Sequence, residues 1–182
     1  MSGSTTIRVR AGTMRGKRIV IIASKFHPSI SRALVQGATR VLRRAGITAG
    51  QIRLLWAPGA FELPVLASRA AAGHPQPDAI IALGALIRGE TPQYDVLAHA
   101  VANGLSQLAV SAQLPVSFGL IVADTPAQAK ARAGLGLRPR HGRRRPRLRR
   151  GTPARPVGTV TNRGEEAAAA ALEVLRLFDT LT

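Results

Sequence analysis

Residues 79–95 read AIIALGALIRGETPQYD, and this stretch passes from a buried strand to the start of a helix within one turn. The apolar run Ala79–Leu83 predicts a central parallel strand, because such strands are covered on both faces. Gly89 then frees the backbone, and Thr91 and Pro92 are residue types favoured at a helix N-cap and first helical position. The N–H groups of such a turn can bind an anion.

Gln93 occupies the position where a proton-transfer group would be needed. A carbonyl phosphate bound at this turn would require a proton shuttle about one residue into the helix, and the amide of Gln93 does not titrate. The stretch therefore predicts anion binding without an acid or a base beside it.

Strand and helix patterns alternate along the whole chain. The predicted strands are Lys17–Ala23, Gln51–Ala57, Asp78–Leu86 and Val116–Val122, and the predicted helices are Pro28–Ala45, Phe61–Ala72, Pro92–Ala112, Asp124 or Thr125 to about Ala133, and Gly164–Leu181. These β-then-α units predict an α/β fold, a flavodoxin-like three-layer sandwich around a four-stranded parallel sheet. Ligands of such sheets bind at the carboxyl ends of the strands.

Length and composition exclude several classes of protein. The chain has 182 residues, of which 46% are apolar, and this predicts one domain over residues 1–182. The absence of cysteine excludes disulfides, thiolate catalysis and Cys-based zinc sites, and the four histidines show no metal-ligand spacing. Without an apolar leader or a membrane-length apolar run, the sequence predicts a cytoplasmic protein with no membrane contact.

The net charge of +17 is concentrated in one segment. Residues 135–160 hold nine of the 26 basic residues and no acidic residue, so this segment alone supplies about half of the net charge. Its Arg, Pro and Gly content predicts an irregular or disordered insertion. Because it contains no aromatic residue, any nucleic-acid or polyanion contact would depend on phosphate attraction alone.

Several chemically useful side chains are predicted at the carboxyl edge of the sheet. They are Phe26, Phe61, Glu62, Glu90, Thr91 and Arg132. Aromatic rings beside a carboxylate suit a flat, nitrogen-rich heterocycle, and an arginine with a helix start suits a phosphate. On composition alone, however, Phe61 is expected in the core and Glu62 is expected to be a solvated acid in the first turn of a helix.

Five segments extend this pattern over nearly all of the chain except the extreme N-terminus and residues 135–160. They are IIASKFHPSISRALVQGA, PGAFELP, DAIIALGALIRGETPQYD, NGLSQLAVSAQLPVSFGLIVADTPAQAKARAG and NRGEEAAAAALEVL. In this order and spacing they resemble lumazine synthase, the 6,7-dimethyl-8-ribityllumazine synthase of riboflavin biosynthesis. The PGAFELP and GALIRGETP motifs are the most specific.

The resemblance implies a transferase. Enzymes of this family condense 5-amino-6-ribitylaminouracil with 3,4-dihydroxy-2-butanone 4-phosphate through a Schiff base, loss of phosphate and ring closure, and they use no cofactor or metal. They assemble as homo-oligomers, either pentamers or sixty-subunit shells, with active sites between subunits.

The resemblance also implies roles for individual residues. Phe26 would stack on the pyrimidine, and Phe118 would close the site from the neighbouring subunit. Glu90 and Thr91 would receive the butanone phosphate, with Arg132 as its charged clamp. The remaining substrate-binding residues would be Ala60, Phe61, Glu62, Ala85, Leu86 and Ile87.

Three positions depart from the family pattern. Gln93 stands where the family has its proton-donating histidine, Ala100 where it usually has a glutamate, and His27 where it often has asparagine. His27 is therefore a second candidate for proton transfer, and simple hydrogen bonding is the alternative. For the whole protein, the alternatives to a slow synthase are a non-catalytic lumazine- or flavin-binding paralogue and a polyanion-binding shell protein that acts through residues 135–160.

Overall fold

The computed structural model describes residues 14–136 and 162–181. The elements within these ranges are β1 (Ile19–Ser24), α1 (Pro28–Arg44), a 3₁₀ turn (Ala49–Gln51), β2 (Ile52–Ala57), α2 (Leu63–Ala71), β3 (Ala79–Ile87), α3 (Gln93–Ser111), β4 (Val116–Ala123), α4 (Pro126–Arg132) and α5 (Arg163–Leu181). The predicted strands and helices are thus present, with ends shifted by one or two residues. Most of the predicted insertion, from residue 137 onward, lies outside the described residues.

The four strands form one parallel sheet in the order β2-β1-β3-β4. Alternate residues of β1 and β3 serve different faces of this sheet, as the period of a strand requires. Ile19 and Ile21 pack with α1 and α5, whereas Val20 and Ile22 pack with α2 and α3. The predicted three-layer α/β sandwich of the flavodoxin type is confirmed.

The strand order determines where a ligand can bind. From β1 the chain moves to β2 on one side and later to β3 on the other, so the switch point of the topology lies between β1 and β3. At such a point the connections leave in opposite directions and open a crevice at the carboxyl ends of the strands. The turns after β1, β2 and β3 border this crevice.

Asn162 joins the beginning of α5 to the other helices of its layer. Its buried Nδ2 donates to the carbonyls of Ala33 (3.1 Å) and Ala133 (2.7 Å), and its Oδ1 accepts from the N–H of Gly164 at 2.8 Å. A Cβ at Gly164 would collide with the Leu34 carbonyl, so α5 can approach α1 this closely only with glycine there. The position of α5 is therefore tied to α1 and to the end of α4.

Two details of the turns differ from the sequence predictions. The prediction of Thr91 as the N-cap of α3 is wrong, because Pro92 takes that position, no side chain caps the helix, and Gln93 is the first helical residue. The helix predicted from Phe61 begins instead at Leu63. For α4 the sequence leaves Asp124 and Thr125 as alternative N-caps. The structure selects Thr125, whose hydroxyl accepts from the N–H of Gln128 and caps the helix.

Candidate active site

A cavity of about 510 Å³ lies at the carboxyl ends of β1, β2 and β3. It is lined by Phe26, His27, Gly59, Ala60, Phe61, Glu62, Ala85, Leu86, Ile87, Gly89, Thr91, Gln93, Tyr94 and Leu97. Most of the residues predicted to bind the pyrimidine are in this set, although they come from three separate turns. The cavity coincides with the crevice that the strand order predicts.

The turn between β1 and α1 holds an exposed aromatic ring beside a histidine. The ring of Phe26 is 66% exposed, and its centroid lies 5.0 Å from that of His27 with the planes almost perpendicular. The Phe26 carbonyl accepts from the hydroxyl of Ser31 at 3.2 Å. A face of the Phe26 ring is thus open to a flat ligand, while the hydrogen bond from Ser31 fixes the Phe26 backbone.

His27 has an unusual backbone conformation for a residue other than glycine. Its φ and ψ are 56° and 61°, in the left-handed region, and it is the N-cap of α1. Its carbonyl accepts from the N–H groups of Ile30 (3.0 Å) and Ser31 (3.1 Å), which are the first hydrogen bonds of α1. Burial lowers the pKa of the His27 imidazole below its ordinary value of 6.5, because desolvation disfavours the charged ring.

The turn between β2 and α2 is stabilised by its own carboxylate. Oε2 of Glu62 accepts from the N–H of Gly59 at 2.8 Å, and this bond bridges the ends of the PGAFE turn. Phe61 is 61% exposed, so the expectation of a core residue is wrong, and half-buried Glu62 is a turn-closing acid instead of a solvated one. Ala60 is buried beneath them.

The turn between β3 and α3 is the most exposed of the three. Ala85 is buried, Leu86 and Ile87 are half-buried, and residues 88–93 are exposed. The backbone of Arg88 still donates to Ala123 at 2.9 Å, but a Cβ at Gly89 would meet no other atom within 4 Å. This side of the cavity is open to solvent and flanked by the start of α3.

Sequence reasoning missed Tyr94 and Leu97 as lining residues. Leu97 lies four residues after Gln93, and residues so spaced share a helical face, so helical periodicity could have indicated it. Tyr94 follows Gln93 directly, and no pattern in the sequence distinguishes it from a surface residue.

Three predicted site residues do not line the cavity. Glu90 is exposed in the turn, and Phe118 lies in β4, half-buried against the α2 and α3 layer. The guanidinium of Arg132 bonds Oε2 of Glu166 at 2.9 Å, and the same oxygen accepts from Arg163 at 3.0 Å. The described residues of one chain therefore do not bring the predicted phosphate clamp into the cavity.

Searches for two other kinds of site found none in the described part of the chain. Residues 14–136 and 162–181 contain no group of three or more His, Asp or Glu side chains that could hold a metal ion. None of the helices in these ranges is both long and apolar enough to cross a membrane.

Comparison with known proteins decides the family. The family model described as 6,7-dimethyl-8-ribityllumazine synthase matches residues 16–179, which include every residue of the cavity. The chain belongs to the 6,7-dimethyl-8-ribityllumazine synthase family. The match confirms the resemblance identified from PGAFELP and GALIRGETP.

Individual 6,7-dimethyl-8-ribityllumazine synthases match at similar length. The protein of that name from Gemmatimonas aurantiaca is 40% identical over 164 residues, which cover 90% of this chain and 85% of the relative. The one from Thermus thermophilus is 33% identical over 93% of both chains, and the one from Renibacterium salmoninarum is 39% identical over 87% of both. The similarity to lumazine synthases thus extends over the whole fold.

Proposed function

We propose that this protein is a transferase that forms 6,7-dimethyl-8-ribityllumazine from 5-amino-6-(D-ribitylamino)uracil and 3,4-dihydroxy-2-butanone 4-phosphate, releasing phosphate, in riboflavin biosynthesis. One observation carries the proposal: in a chain of the lumazine synthase family, the turns after three adjacent strands border one cavity with an exposed aromatic face, a carboxylate and a helix start. Such a cavity can hold two reactants side by side.

The pyrimidine would bind at the turns after β1 and β2. Its ring would stack on Phe26, and the PGAFE turn would hold its polar edge and ribityl chain through Ala60, Phe61 and Glu62. The apolar wall formed by Ala85, Leu86 and Ile87 would complete this half of the cavity. The exposed face of Phe26 and the internal bond of the PGAFE turn support this assignment.

The phosphate would bind at the β3–α3 turn. Its oxygens would accept from N–H groups around Glu90 and Thr91 at the start of α3, and Arg132 would neutralise their charge. Because neither Arg132 nor Phe118 lines the cavity of its own chain, we propose that a neighbouring copy supplies both. This requires a homo-oligomer, and a pentamer or a sixty-subunit shell would place one such cavity at each subunit boundary.

Gln93 is expected to make the enzyme slow. It lines the cavity, but it cannot donate or accept a proton as the family's histidine does. A positioned acid–base group contributes about 10² to 10⁴ in rate, while holding the two reactants together can supply much of the remaining catalysis. Turnover is therefore reduced and not abolished.

The wider setting follows from the same assignment. We propose a cytoplasmic enzyme without a cofactor, and the nine arginines of residues 135–160 favour an additional contact with nucleic acid or another polyanion. Such binding should weaken steeply with added salt. If deletion of residues 135–160 leaves polyanion binding unchanged, this part of the proposal is wrong.

The decisive experiment is an assay of lumazine absorbance with the purified full-length protein and both substrates. We expect turnover above the spontaneous reaction, and a gain of at least about tenfold in Gln93→His, with Gln93→Asn as the matched control that restores no titrating group. If both the unaltered protein and Gln93→His bind the product tightly but show no turnover, the protein is a non-catalytic binding protein instead.

A further inference from the structure

The cavity retains a histidine, although not at the position of the family's shuttle. Its titratable lining residues are His27, Glu62 and Tyr94. The Glu62 carboxylate is already engaged by the Gly59 N–H. Histidine is the side chain that ordinarily exchanges protons near neutral pH.

The position of His27 is built into the fold. His27 is a non-glycine residue in the left-handed region, and such a strained conformation persists only where its surroundings enforce it. Here the ring meets Phe26 edge to face, and the hydroxyl of Ser31 in α1 donates to the Phe26 carbonyl. Strained residues of this kind cluster at functional sites.

We propose, resting on the function proposed above, that His27 is a catalytic residue that moves the proton during Schiff-base formation. Its neighbour Phe26 is the residue assigned to stack on the pyrimidine, so His27 borders the reactant that carries the attacking amine. Gln93 and α3 border the phosphate half of the cavity instead.

The step balances without any further reactant. The amine nitrogen forms a bond to the ketone carbon, and the neutral imidazole of His27 accepts the proton that the nitrogen must lose. The imidazolium gives this proton to the former ketone oxygen, which completes the carbinolamine. In a second cycle the same ring passes the remaining amine proton to the carbinolamine hydroxyl, which leaves as water as the C=N bond forms, and the imidazole is neutral again.

The electrostatic surroundings of His27 favour this role. Burial lowers its pKa, so the ring is the neutral, proton-accepting form at neutral pH. The other titratable side chains that line the cavity with it are Glu62, from the β2–α2 turn, and Tyr94, from α3. Oε2 of the Glu62 carboxylate accepts from the Gly59 N–H.

The test is steady-state lumazine formation by His27→Asn at saturating substrates. Asparagine tolerates the left-handed backbone and can hydrogen-bond, but it does not titrate. We expect kcat to fall at least about tenfold with pyrimidine KM changed less than about threefold, and the loss of kcat at acid pH to disappear. His99→Asn is the matched control, because that exposed histidine bonds Asp95 on its own helix and does not line the cavity.

A second measurement separates proton transfer from placement. The His27 ring signals should shift when the pyrimidine substrate alone is added to the isotope-labelled protein. The assignment of His27 would be overturned if His27→Asn left kcat and the pH profile unchanged, or if the ring signals did not shift. Lumazine formation by the same samples would still support the proposed function. Absence of lumazine formation in the unaltered protein and in Gln93→His would overturn both.

Discussion

The two halves of the cavity are built differently. On the pyrimidine side, side-chain bonds close the turns after β1 and β2: the Ser31 hydroxyl donates to the Phe26 carbonyl, and the Glu62 carboxylate accepts from the Gly59 N–H. On the phosphate side, residues 88–93 of the turn after β3 are exposed. The pyrimidine half is thus preorganised by its own chain. In the phosphate half, the ligand must satisfy the N–H groups of the turn, and a neighbouring copy must supply the positive charge.

This difference determines where the binding energy for each substrate must come from. A preorganised turn loses little conformational freedom when its ligand binds, so its contacts contribute almost fully to affinity. An open turn must be ordered at the moment of binding and depends on a charge from elsewhere. Substitutions on the two sides should therefore separate the two substrates kinetically.

The largest effect is expected on the open side. Arg132→Ala should raise KM for the butanone phosphate about a hundredfold, since a charge-assisted bond to phosphate is worth roughly 1.5–3 kcal/mol and its loss leaves the anion unpaired. Pyrimidine KM should change little. Glu166 keeps its bond to Arg163, so the fold should be retained, and a thermal melt of the variant checks this. An equal rise in both KM values would show that the halves are not independent.

A smaller effect is expected on the preorganised side. Glu62→Ala removes the carboxylate that closes the PGAFE turn, and we expect pyrimidine KM to rise about tenfold because one charge-assisted hydrogen bond is lost. Glu62→Gln keeps an acceptor oxygen and should lose less. Titration of each variant with the pyrimidine alone measures the effect directly. If the phosphate substrate were affected more strongly, the assignment of this turn would be wrong.

The smallest effect concerns stability. The pKa of His27 is lowered in the folded protein, so the unfolded chain binds more protons below about pH 6.5 and folding stability falls as the pH drops through this range. His27→Asn should flatten this part of the stability curve, measured by urea unfolding between pH 5 and 7. A curve that His27→Asn leaves unchanged would assign the acid sensitivity to other groups.

The sequence predicted the scaffold well because its signals are local. Runs such as Ala79–Leu83 indicate doubly covered strands, and the recurrence of Ile30, Leu34 and Leu42 indicates one face of a helix. The order of PGAFELP and GALIRGETP also predicts that the turns after β2 and β3 belong to one site, and both line the cavity. Hydrophobic periodicity and motif spacing can be recognised in the sequence without knowledge of long-range contacts.

Other features lie beyond sequence patterns, because a distant residue or an unusual backbone decides them. The bond between Arg132 and Glu166 joins positions that are 34 residues apart in the sequence, and no local sequence pattern predicts it. The left-handed conformation of His27 is similarly hidden, because most residues that precede a helix-starting proline are extended. Phe61 looked like a core residue for the same reason: its type is usually buried, and only the three-dimensional turn exposes it.

The bonds of Asn162 have a practical consequence for engineering the chain. By tying the end of α4 and the carbonyl of Ala33 to the start of α5, this side chain supplies a local anchor that does not pass through residues 137–161. That stretch is accordingly a natural graft point, where a short linker, an inserted domain or a new pair of chain termini could replace the native residues. Asn162 itself should be retained in any such redesign.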